Sequence, residues 1–104
     1  MKFDQATLRR FKVNNAMSKV AELERTICEL DRAGSALETQ IENEEAMTRV
    51  RDPADFAYST FAKAARARRD RLRATVHRLK AELEGIDGMI QSHSPSNRRE
   101  LVRV

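Results

Sequence analysis

Two heptad repeats separated by an Asp-Pro step constrain this chain more than any other feature. Val13, Ala16, Val20, Leu23, Ile27, Leu30, Gly34, Leu37 and Ile41 follow one another at alternating spacings of three and four. That pattern keeps one apolar stripe on one side of a helix. Valine and isoleucine hold most a positions, and leucine holds the d positions Leu23, Leu30 and Leu37. A second repeat runs Tyr58, Ala62, Ala65, Arg69, Leu72, Val76, Leu79, Leu83, Ile86 and Ile90. Between them lies Val50-Arg51-Asp52-Pro53-Ala54-Asp55. The residue before a proline resists the α region, so the first helix should stop here. Asp52 is placed to cap a new helix with Pro53 at its first position, and Asp55 would add a carboxylate near the positive helix end.

The expected fold is therefore all-α, a long antiparallel two-helix coiled-coil hairpin with its turn near residues 50–54. Helix 1 should cover about 4–49, with Asp4 as its cap, and helix 2 about 53–91. Residues 1–91 would form the hairpin and 92–104 a flexible tail, polar and broken by Pro95. Gly85 and Gly88 should already weaken the end of helix 2, and Gly34 removes a knob from the seam. Glu44 at a d position, followed by Glu45, should loosen the tip. The low glycine and proline content (three and two residues) and 35% charged residues fit long helices.

The charge is uneven. Residues 1–50 carry eight basic and nine acidic side chains, and residues 51–104 carry twelve and seven, for a net charge of +4 overall. The excess is concentrated in Arg66, Arg68, Arg69, Arg71 and Arg73, with Arg78 further on. In an antiparallel hairpin this run faces Glu22, Glu24, Glu29, Asp31, Glu38 and Glu42. It is then either an internally paired, solvated face or a docking surface for an acidic partner, with nucleic acid a third and less favoured reading. Phe56, Tyr58 and Phe61 form the densest aromatic group. They would close the tip on Met47 and Val50, or point outward as partner anchors.

No chemistry of a reacting site is evident. There is no phosphate-binding glycine loop, nucleophile elbow or cysteine pair. Cys28 is alone, and His77 and His93 make no metal motif with it. The reading is a non-enzymatic chain with no cofactor, no metal and no small-molecule substrate. No window is apolar enough for a signal peptide or a membrane span, which points to the cytoplasm.

The stretch from Asp52 to Leu72, with its Asp-Pro-Ala-Asp-Phe-Ala-Tyr opening, the Ala-Lys-Ala-Ala-Arg segment and Arg68-Arg69-Asp70, resembles the mid-region of short alphaproteobacterial members of the FliJ family. Leu8-Arg9-Arg10-Phe11-Lys12-Val13 is similar to that family's basic, apolar N-terminal segment. The resemblance covers roughly residues 8–90. It implies a coiled-coil stalk, sometimes called a chaperone, of the flagellar type III export ATPase. Such a stalk inserts its ends into the ATPase hexamer, contacts the cytoplasmic domain of the export gate and, in some members, binds export chaperones. It reaches the inner face of the membrane only peripherally, through these partners. By position, Leu8, Arg9, Arg10, Phe11 and Val13 match the ring-inserted segment. Phe56, Tyr58, Phe61, Lys63, Arg66 and Arg69 fall in the shared motif as candidates for the gate-facing surface. Family members usually continue the second helix further than this chain does. Two other readings remain beside this one. One is a basic coiled-coil nucleic-acid-binding protein, suggested by arginines running into a short zipper. The other is a homo-oligomeric coiled-coil adaptor, dimer or four-helix assembly.

Overall fold

The computed structural model describes residues 4–93 and contains two helices, α1 (Gln5–Thr48) and α2 (Thr60–His93). They pair antiparallel. Glu45 meets Tyr58 and Arg66, whereas Glu38, earlier in α1, meets Arg69 and Arg73, later in α2. Every residue of both repeats is buried or half-buried. The fold class is the helical hairpin that the repeats predict.

The chain divides into two compact parts. In Ile27–Arg78, the core is Ile27, Ile41, Tyr58, Ala62, Ala65 and Val76, with half-buried Leu30, Leu37 and Leu72. Ile41 is 1% exposed, the largest fully buried side chain, and its burial contributes about 1.5–3 kcal/mol. In the part built from the start of α1 and the end of α2, Ala16 and Leu23 are buried. Val13, Val20, Leu79, Leu83, Ile86 and Ile90 are half-buried.

Asp4 caps α1 as expected: its Oδ1 accepts the Thr7 N–H at 2.7 Å. At the other end Arg49 takes a left-handed φ of 64°, and its N–H reaches back to the Glu45 carbonyl at 2.8 Å. This is the single-bond left-handed C-cap, usually made by glycine.

The second helix starts later than the sequence predicts, at Thr60 rather than near Pro53. Asp52 and Pro53 do form a capped structure, but it is a turn. Asp52 Oδ1 accepts the Ala54 N–H at 3.0 Å, and its carbonyl accepts the Asp55 N–H at 3.0 Å. Asp55 then repeats the device, taking Ala57 N–H on its carboxylate at 2.9 Å and Tyr58 N–H on its carbonyl at 3.0 Å. An aspartate that satisfies the next N–H groups itself competes with helix, so two such turns in series hold the chain out of it. Ser59 ends the series as the real N-cap, its Oγ accepting the Ala62 N–H at 3.1 Å.

The other end of α2 also departs from expectation. The helix runs unbroken through Gly85 and Gly88 and includes Ser92 and His93, the first two residues of the expected tail. Residues 94–104 of the expected tail lie outside the described residues. Gly34 makes no close approach: a Cβ there would meet nothing within 4 Å.

Candidate functional site

The residues singled out from sequence separate into an inner and an outer set. Tyr58 belongs to the inner one. It is 7% exposed and donates its hydroxyl to Glu45 Oε2 at 2.6 Å. Glu45 is itself 8% exposed and lies 3.6 Å from the half-buried Arg66 guanidinium. Burial, and then the hydrogen bond to Glu45, push the Tyr58 phenol above its ordinary value of 10. Beside it, Ser59 Oγ donates to Glu44 Oε1 at 2.8 Å while accepting from Ala62. The two glutamates expected to loosen the tip instead fasten the connector to α1.

Arg69 lies on the seam, 7% exposed. It donates to Glu38 at 2.8 Å and, through Nε and Nη2, to Asp70 at 3.2 and 3.0 Å. Glu38 also accepts from Arg73 at 3.1 Å. Burial opposes the Arg69 charge, but the hydrogen bonds to Glu38 and Asp70 outweigh it and hold the guanidinium above its ordinary value. Among the described residues no buried side-chain polar atom is left without a partner. Tyr58 and Arg69, two of the expected partner-binding residues, thus sit inside the molecule, Tyr58 tying the connector to α1 and Arg69 tying α2 to α1.

The outer set begins with Phe56, in the second aspartate turn and 101% exposed. Phe61 is 56% exposed and Met47 75% exposed, so these side chains are not buried at the tip. Lys63 is also exposed. Far from these in sequence, Phe11 is 63% and Leu8 41% exposed, Arg9 and Arg10 are exposed, and Val13 is half-buried on the seam.

The arginine run is paired in part. Arg66, Arg69 and Arg73 engage carboxylates, whereas Arg68, Arg71 and Arg78 form no ion pair with any described residue. Of the α1 carboxylates expected opposite the run, Glu38 is engaged across the seam. Glu45, which the expectation omitted, is engaged too.

Cys28 and His77 are exposed, and among the described residues no group of three or more potential ligands could hold a metal ion. No helix among the described residues is long and apolar enough to cross a membrane. Two shallow grooves lie beside the seam in Ile27–Arg78, one of about 220 Å³ next to Gly34 and one of about 520 Å³ next to Arg68 and Arg71. The arrangement offers anchors and charges to a partner. Comparison with protein-family models, with curated proteins and with solved structures gives no match to this chain.

Proposed function

We propose that this protein is a non-enzymatic stalk of a flagellar type III export apparatus, coupling the export ATPase hexamer to the cytoplasmic domain of the export gate. The observation that carries the reading is the split of the motif at residues 52–72. Its inward residues, Tyr58 and Arg69, tie the hairpin together, while Phe56, Phe61 and Lys63 are left at the surface. Aromatic residues, phenylalanine included, are enriched at protein interfaces relative to the rest of the surface. A second group of exposed apolar and basic residues, Leu8, Arg9, Arg10 and Phe11, stands at the start of α1 as the ring-entering end. Some export chaperones would dock on the same chain. Its place in the cell would be the cytoplasm, against the export apparatus.

The test is a pull-down from a flagellated cell's cytoplasm with the full chain as bait, run with and without nuclease and repeated with Phe56→Ala/Phe61→Ala and with Leu8→Ala/Phe11→Ala. The expected result is recovery of the export ATPase and the gate's cytoplasmic domain. The first variant should lose the gate and the second the ATPase. Recovery of neither component, or of material that disappears with nuclease, would overturn the reading.

A further inference from the structure

The two flanks of the seam in the Ile27–Arg78 hairpin differ in kind. On one, the residues that follow the d positions, Glu38 and Glu45 in α1 and Arg66 and Arg73 in α2, bridge the helices. On the other, the residues that precede the a positions are Ala33 and Gln40 in α1 and Phe61, Arg68 and Thr75 in α2. None is acidic. Met47 of α1 continues this line toward the tip. A groove of about 520 Å³ runs here, with Ala33, Ala36, Leu37 and Leu72 along it and Arg68 and Arg71 at its side. Its lining contains no carboxylate, unlike the groove by Gly34, which has Asp31 and Glu38.

We propose that this flank seats an acidic amphipathic helix of a partner protein. The two alanines leave room for a third helix to approach at the usual interaxial distance of about 8–10 Å. Leu37 and Leu72, half-buried on the seam, supply apolar contact to the partner's apolar stripe. Arg68 and Arg71 are exposed and have no ion-pair partner among the described residues, in a run where Arg66, Arg69 and Arg73 have found theirs. They are two cations placed to take carboxylates from outside the chain. Phe61 and Met47 extend the same flank as apolar anchors. A second copy of this chain fits poorly, because a two-fold contact sets this flank against itself, and its lining has no carboxylate to meet Arg68 and Arg71. Nucleic acid has no use for the leucines, the alanines or Met47. The proposal stands on this geometry and does not depend on the export reading.

The test uses the full chain and a fluorescein-labelled synthetic helix of about three heptads, with leucine at a and d and glutamate beside them. A twin peptide has lysine for every glutamate. Fluorescence anisotropy should show binding of the glutamate peptide, weakening with salt, and none of the lysine peptide. Arg68→Glu/Arg71→Glu should weaken binding by about tenfold or more. Ala36→Phe, which fills the groove without touching a charge, should weaken it similarly. Circular dichroism should show unchanged helix in both variants. No binding, equal binding of the two peptides, or indifference to both variants overturns the proposal. So does displacement of the bound peptide by a DNA duplex. A concentration-dependent dimer in sedimentation that excludes the peptide would give the flank to a second copy and overturn it equally.

Discussion

Tyr58 is the one tyrosine in a chain without tryptophan, so absorbance of its phenolate reads this side chain alone. Its folded pKa is raised above the ordinary 10, by burial first and by Glu45 second. The sign follows: its contribution to stability is complete below pH 10 and is lost as pH rises through the elevated value. An alkaline spectrophotometric titration should therefore give a midpoint above 10, and Glu45→Gln should move it back toward 10. Tyr58→Phe leaves Glu45 buried with one partner fewer and should cost about 1–3 kcal/mol in urea unfolding. Arg49 offers the opposite case. It holds a left-handed conformation that disfavours any side chain with a Cβ, so Arg49→Gly should raise stability by about 1 kcal/mol, read as a higher urea midpoint at unchanged slope. Sequence distinguishes Tyr58 from its aromatic neighbours only through register. Tyr58 falls on the extrapolated seam and is buried. Phe61, next to the a-position Ala62, falls beside the seam and is half outside. Phe56 lies off that extrapolated seam, in the second aspartate turn, and is fully exposed.

At the scale of the elements, the seam was legible from end to end because a heptad repeat is a direct statement of which residues face a partner helix. The connector was not. Asp-Pro is as good an opening for a turn as for a helix, and what decides is the second aspartate, three residues on, which starts another turn in place of joining the first turn of a helix. Ser59 was the available signal: a hydroxyl residue three before Ala62, where helical spacing becomes unbroken. The glycines misled in the other direction. They reduce helix propensity without ending a helix whose neighbours on the seam are packed. Gly34 faces open space, so Gly34→Ala should add about 1 kcal/mol of stability by thermal or urea unfolding. A loss would mean that the space beside it is needed.

For the molecule as a whole, the arginine at the center of the apolar seam matters most for which alignment the helices choose. Sliding α2 against α1 would leave the Arg69 guanidinium buried without Glu38, a far larger penalty than misplacing an alanine. Arg69→Met should leave stability equal or higher by up to about 2 kcal/mol, because Glu38 keeps Arg73 and Asp70 is exposed. The same variant should broaden the distribution of spin-label distances between α1 and α2, reporting alternative alignments. Glu38→Ala should instead cost about 1–2 kcal/mol. Which arginines pair could not be read from composition or charge halves. It depends on the side of the seam each one occupies, and that follows from the register once the antiparallel pairing is known.

The fastening of the connector to α1 has a consequence for how the chain folds. The Glu45–Tyr58 and Glu44–Ser59 bonds close loops of only 13 and 15 residues, whereas Glu38 reaches Arg69 and Arg73 across 31 and 35. Short loops cost the least entropy to close, so the contacts of the connector are expected to form first and those of Glu38 with Arg69 and Arg73 later. In stopped-flow kinetics, Tyr58→Phe should then slow refolding, while Glu38→Ala should mainly speed unfolding.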